Sequence, residues 1–183
     1  MTPEPRLLRD GTPVVLRRLQ PDDREGLRAA YLRLSPESRY HRFLAPVPRL
    51  TPTMLDQLVD RVDDVDHVAR LLVSAADGED IAVGRFVRDR LRPELAEVAF
   101  TVADDRHGIG AASALCDGLV AAALERGVTG FTALLLADNT AALHLMARAG
   151  DVVLRTLDHP GTVEVEVALR PPPVPPPPLV ADH

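Results

Sequence analysis

AEVAFTVADDRHGIGAA (Ala96–Ala112) is the stretch on which the fold turns. Val98, Phe100 and Val102 alternate as a strand does, and the run stops at Asp104-Asp105. Gly108-Ile109-Gly110 then opens an Ala/Leu-rich helix that reads on to about Arg126. A helix N-terminus carries unpaired N–H groups and the positive end of the helix dipole, so it can hold phosphate without a basic side chain. Glycine suits that place because no Cβ blocks the approach of a diphosphate to the backbone. The same Gly-x-Gly also serves a strand-to-helix turn with no ligand, so the rest of the chain has to decide.

Two common nucleotide readings fail. Arginine supplies all 21 basic residues and the chain has no lysine, which excludes a Walker-type phosphate loop. Ala111-Ala112-Ser113 follow Gly110, so the third glycine of the dinucleotide fingerprint is missing. A different phosphate-bearing ligand is needed.

Composition narrows the class. A chain of 183 residues is sized for one domain, here 1–170, and 46% apolar content supports a core built on Val, Leu and Ala, with four Phe, two Tyr and no Trp. The net charge of −6 argues against nucleic acid as a partner and favours basic or amine-bearing ones. Cys116 is the single cysteine, so no intrachain disulfide can form; within the Ala/Leu helix it reads as a small packed residue. The N-terminus MTPEPRLLRDG lacks an apolar signal core, and no run is long enough for a membrane helix. A cytoplasmic protein is expected, and the Ala/Val/Leu/Pro/Arg bias points to a GC-rich bacterial source. His67, His144 and His159 are scattered without metal-ligand spacing, so no metal is expected.

Outward from the opening stretch, the pattern predicts a strand at 14–19 and a helix at 21–34 entered through Pro21 and Asp22. A helical segment from Ser35 and a further turn or two over Thr51–Val62 follow. Strands are expected at 67–75, 81–88 and 95–102, the first two joined through Asp77-Gly78-Glu79-Asp80. A fifth strand spans 131–136, then a helix 140–149 ended by Gly150, then strands 152–156 and 162–169 around Asp158-His159-Pro160-Gly161. Asp56, Asp60, Asp63, Asp64 and Asp66 read as a solvated face that could also attract a cationic substrate. Pro171–His183 holds seven prolines in PPPVPPPP and reads as a separate disordered polyproline tail, a solvated extension or a docking peptide.

The opening stretch resembles motif A of the GNAT (GCN5-related) N-acetyltransferases, usually Gln/Arg-x-x-Gly-x-Gly/Ala. LADNTAALHLMARAG resembles their motif B, with Asn139, Leu143, Leu145, Arg148 and Gly150 at the matching offsets. LSPESRYHRFL, LTPTML, DHVARLLV, IAVGRFVRD and AEVAFTVADD look like the GNAT domains of bacterial Pat-type protein lysine acetyltransferases, over roughly residues 12–169. The resemblance implies a mixed α/β sheet in the order β-α-α-β-β-β-α-β-α-β-β. It also implies acetyl-CoA as co-substrate and transfer of acetyl to a primary amine, a protein lysine first, by direct attack in a ternary complex. Arg106, His107, Gly108, Ile109, Gly110 and Ala111 would hold the diphosphate through backbone N–H groups. Phe100 and Val102 would offer main-chain groups to the pantetheine arm. Asn139 would line the arm's far side or cap the helix after it.

A lysine amine arrives protonated, with a pKa near ~10.4, so a base must take its proton. Glu97 matches the general-base glutamate of the Pat-like AEVAF context, and partial burial there would raise its pKa. The bland alternative, second to that one, is a solvent-facing strand residue; Glu94 is the weaker candidate. The turn is shorter than in that subgroup, with Asp105 where Gln or Arg is usual, and a carboxylate there repels a diphosphate unless Arg106 offsets it or it turns away. Met146 stands where many GNAT enzymes place a tyrosine acid and reads as core. The rival readings are a small-amine acetyltransferase (polyamine, amino acid or aminoglycoside) and a catalytically degenerate module that binds acyl-CoA or a protein partner. A homodimer stays open.

Overall fold

A computed structural model describes residues 2–156 and 161–172. Residues Leu157–Pro160, His159 among them, and those from Pro173 on lie outside the described residues. Eight strands form one sheet in the order β1-β2-β3-β4-β5-β6-β8-β7. They are β1 (Glu4–Leu7), β2 (Pro13–Arg18), β3 (His67–Ser74), β4 (Asp80–Arg88), β5 (Leu95–Val102), β6 (Gly130–Leu136), β7 (Gly150–Thr156) and β8 (Thr162–Leu169). Every neighbouring pair is antiparallel except β5 and β6. The helices are α1 (Arg24–Arg33), α2 (Pro36–Phe43), α3 (Pro52–Leu55), α4 (Ala111–Leu124) and α5 (Thr140–Ala149).

This is the expected mixed α/β order with one strand added. β1 carries Pro5, whose missing N–H excludes it from a central strand but not from the sheet edge it occupies. α3 runs on into a π-turn, Asp56–Asp60, in place of a plain helical segment.

Local chemistry sets the ends. Ser35 Oγ and Thr51 Oγ1 cap α2 and α3 by accepting from Ser38 and Met54 N–H, with Pro36 and Pro52 at the first helical positions. The main core lies between the sheet and α4, where Leu115, Leu119, Phe86 and Phe131 are fully buried. Each such side chain contributes about 1.5–3 kcal/mol of burial. Gly84 lets α4 approach β4, since a Cβ there would lie 2.7 Å from Leu119 Cδ1. Cys116 is buried in that helix, and burial pushes its thiol up to about 12.

The acidic run is exposed except for the half-buried Asp64, as a solvated face is, and its carboxylates have local partners. Asp56 and Asp60 both pair with Arg24. Asp63 accepts from the N–H of Val65, Asp66 and His67. Asp64 pairs with Arg18, Arg70 and Arg126, and Asp66 with Arg88. No described helix is long and apolar enough to cross a membrane.

Candidate active site

The site begins where the sheet splits. β5 and β6 pair in parallel only at Leu95–Gly130, Ala96–Phe131 and Glu97–Thr132. Beyond that rung Val98–Val102 stay paired with β4 alone, and Ala133–Leu136 with β8 alone. The facing edges therefore present main-chain N–H and C=O groups with no ladder partner, and unpaired backbone groups call for a polar occupant. A cleft of about 1880 Å³ fills the fork and runs on to the mouth of α4, larger than most small-ligand pockets and shaped for a long ligand.

At one end of the cleft lies the glycine turn. Gly108 and Gly110 have φ of 77° and 98°, conformations that favour glycine, and no side chain caps the first turn of α4. Gly108, Gly110 and Ala111–Ala114 line the cleft. Asp105 is turned away from it, exposed and paired with Arg106 Nε at 3.4 Å.

At the vertex stands Glu97, the last residue of the parallel ladder. The alternation of β5 sends Ala96 and Val98 into the core and Glu97 to the opposite face. The partial burial expected for Glu97 is not found: it is exposed, because the core lies on the other side of β5. Its carboxylate makes no hydrogen bond or ion pair among the described residues. The wall opposite is α2, with Ser38, His41 and Arg42 lining the same cleft. Asp104 fixes that wall by accepting from Ser35 N–H (2.6 Å) and Ser38 Oγ (2.5 Å). Burial disfavours the charged form of the Arg42 guanidinium, and the Glu97 charge opposes this. Behind them burial, then Arg42, lowers Arg85 to about 9.

The remaining expected residues divide. Phe100, Val102, Arg106, His107 and Asn139 line the cleft, but several are committed. His107 Nε2 lies 3.3 Å from the Val102 carbonyl, which has a second lone pair for another donor. Arg106 pairs with Glu79 as well as Asp105, and its N–H donates to the Ala103 carbonyl at 2.9 Å, so the main-chain contact expected of it is already in use. Ile109 packs its side chain against the core and its carbonyl accepts from Arg9 N–H, neither of which touches the main-chain N–H contact expected of it. Asn139 Oδ1 accepts from Ala142 N–H at 3.0 Å, so its carboxamide caps α5 while the residue lines the cleft. Met146 is 2% exposed and belongs to the core. Sequence reasoning missed Arg9 and Arg42, both in the cleft; no motif flags either. No group of His, Cys, Asp or Glu among the described residues could hold a metal ion.

Comparison with known proteins decides the family, since the acetyltransferase (GNAT) domain model matches residues 14–151. The chain belongs to the GNAT acetyltransferase family. Among GNAT relatives, acetyltransferase Pat of Mycolicibacterium smegmatis is 38% identical over 171 residues, 93% of this chain and 50% of Pat. Acetyltransferase PA5475 of Pseudomonas aeruginosa is 32% identical over 164 residues, 88% of this chain and 87% of the relative. The crystal structure of the GNAT domain of S. lividans PAT superposes with a TM-score of 0.82 at 34% identity, covering 91% of this chain and 97% of that one. This chain spans about half the length of the mycobacterial Pat it matches.

Proposed function

We propose that this protein is an acetyl-CoA-dependent N-acetyltransferase of the cytoplasm that acts on a primary amine, a protein lysine first, with residues 1–170 as the catalytic unit. The observation that carries the reading is the fork itself: unpaired strand edges run from an uncapped helix mouth to a lone carboxylate at the vertex. An extended ligand with phosphates at one end and amides along its arm matches that sequence of surfaces. The cleft stays open although the turn is short, which favours ligand binding over a degenerate module.

Bound acetyl-CoA would supply an activated acyl thioester. The main-chain N–H groups at the mouth of α4 would hold its diphosphate, and the free edges of β5 and β6 would hold its arm by adding, in effect, a strand. Glu97 would accept one proton from the acceptor ammonium, leaving the nitrogen lone pair free to form the new N–C bond as the C–S bond breaks. Met146 has no proton to give, so the sulfur would take the nitrogen's second proton as it leaves, giving the amide and the free thiol. The choice of a protein lysine as acceptor rests on the resemblance of the sequence to the Pat-type protein lysine acetyltransferases.

The test is thiol release from acetyl-CoA with a lysine peptide and, separately, a polyamine as acceptors. Release driven by the peptide supports the lysine reading. Release with the polyamine alone moves the assignment to small amines. No release with either, together with no acetyl-CoA binding, returns the chain to a partner-binding module.

A further inference from the structure

We propose that Arg9, in the turn between β1 and β2, is the charged anchor for the coenzyme's diphosphate, a role that rests on the acetyl-CoA reading above. The cleft is lined by Arg6, Arg9, Arg42, Arg106 and Arg148. Arg6 pairs with Glu4 at 2.8 Å, Arg106 with Glu79 and Asp105 at 3.4 Å each, and Arg148 with Asp117 at 2.6 Å. Among the described residues Arg9 and Arg42 have no carboxylate within ion-pair distance. Arg42 belongs to the far end, against Glu97, so Arg9 is the uncompensated cation beside the glycine turn.

Its placement there is fixed by the fold. Arg9 N–H donates to the Ile109 carbonyl at 3.1 Å, and Arg9 Nη2 donates to the Gly108 carbonyl at 2.6 Å. A Cβ on Gly110 would lie 3.3 Å from both Arg9 Cβ and Arg9 N, so the two segments are in contact. These bonds have two effects. They engage two carbonyl oxygens of the turn that would repel phosphate if they faced it, and they bring a guanidinium fork, using one of its bonds, beside the helix mouth. The adjacent Asp10 stays ionised, its carboxylate accepting from Thr12 N–H (3.0 Å) and Oγ1 (2.8 Å), and it forms no ion pair with Arg9. Arg9 thus supplies what Asp105 and the committed Arg106 do not.

The experiment is calorimetric titration of acetyl-CoA and its 3′-dephospho form into the wild type, Arg9→Gln and Arg9→Lys, at several salt concentrations, with thermal melting of each variant. Arg9→Gln should weaken both ligands roughly tenfold, the worth of one charge-assisted contact. Its affinity should fall less steeply with salt than the wild type's, and Arg9→Lys should recover part of the loss. Wild-type affinity in Arg9→Gln overturns the inference alone. So does a loss confined to the 3′-phosphorylated ligand, or one with an unchanged salt slope and no rescue by lysine, which marks Arg9 as a structural brace. A wild type that binds neither ligand overturns the acetyl-CoA reading itself.

Discussion

Glu97 is positioned by strand register rather than by bonds to its side chain. It is the last rung with Thr132, on the face away from the core, and its carboxylate is free to meet an acceptor. Glu97→Gln should therefore leave acetyl-CoA affinity and melting temperature unchanged while turnover falls about 10²–10⁴-fold; unchanged turnover in the thiol-release assay would clear Glu97 of the role. Asp64 shows the opposite economy. It sits at φ 59° and binds Arg18, Arg70 and Arg126, and the Arg70 side chain is only 1% exposed. Asparagine keeps that backbone but removes the charge, so Asp64→Asn should cost about 3–5 kcal/mol in denaturant unfolding, because it strands a buried guanidinium. Asp80 works against stability. Burial, then Asp23, raises its pKa above the usual carboxylate range. Asp80→Asn should thus stabilise the protein at neutral pH, with the gain shrinking as pH falls toward that range.

At the scale of elements, glycines separate into two kinds. Gly150 was expected as a helix cap. Its φ of 173° is extended backbone, and a Cβ there would come 1.8 Å from the Ala168 carbonyl oxygen, so close passage of β7 by β8 is what demands glycine. Gly78 has φ 75° and open space around it. Gly150→Ala should cost about 3 kcal/mol or more and Gly78→Ala about 1–2, a difference that melting curves resolve. Elements with local signals were legible in the chain: β5, α5 and β8 come at their expected bounds, because alternation, capping and turn residues are all short-range. β1 was not, since Pro3 and Pro5 argue against a strand unless it lies at an edge. The fork between β5 and β6 was implied only by resemblance, because it depends on where a non-local parallel ladder stops. Arg9 was invisible for the same reason: it lies 99 residues from its Gly108 partner.

Across the whole molecule, carboxylates tie segments together that the sheet alone does not. Burial would raise Asp23, Asp64 and Asp104, but Arg17, the arginine cluster, and Ser38 with Ser35 respectively hold all three below the usual range. A lowered native pKa means the unfolded chain binds protons first on acidification. This stabilisation is complete well above pH 3.8 and is lost as pH falls through the depressed values. Circular dichroism titrated downward should show a cooperative acid transition, flattened in Asp64→Asn, and an identical transition in that variant would contradict the network.

The fork is the claim on which the functional account rests, and amide hydrogen exchange with and without acetyl-CoA tests it most directly. The account predicts new protection concentrated in Val98–Val102, Ala133–Leu135 and Gly108–Ser113. Exchange that is unchanged there, or protection that appears only elsewhere, would contradict it.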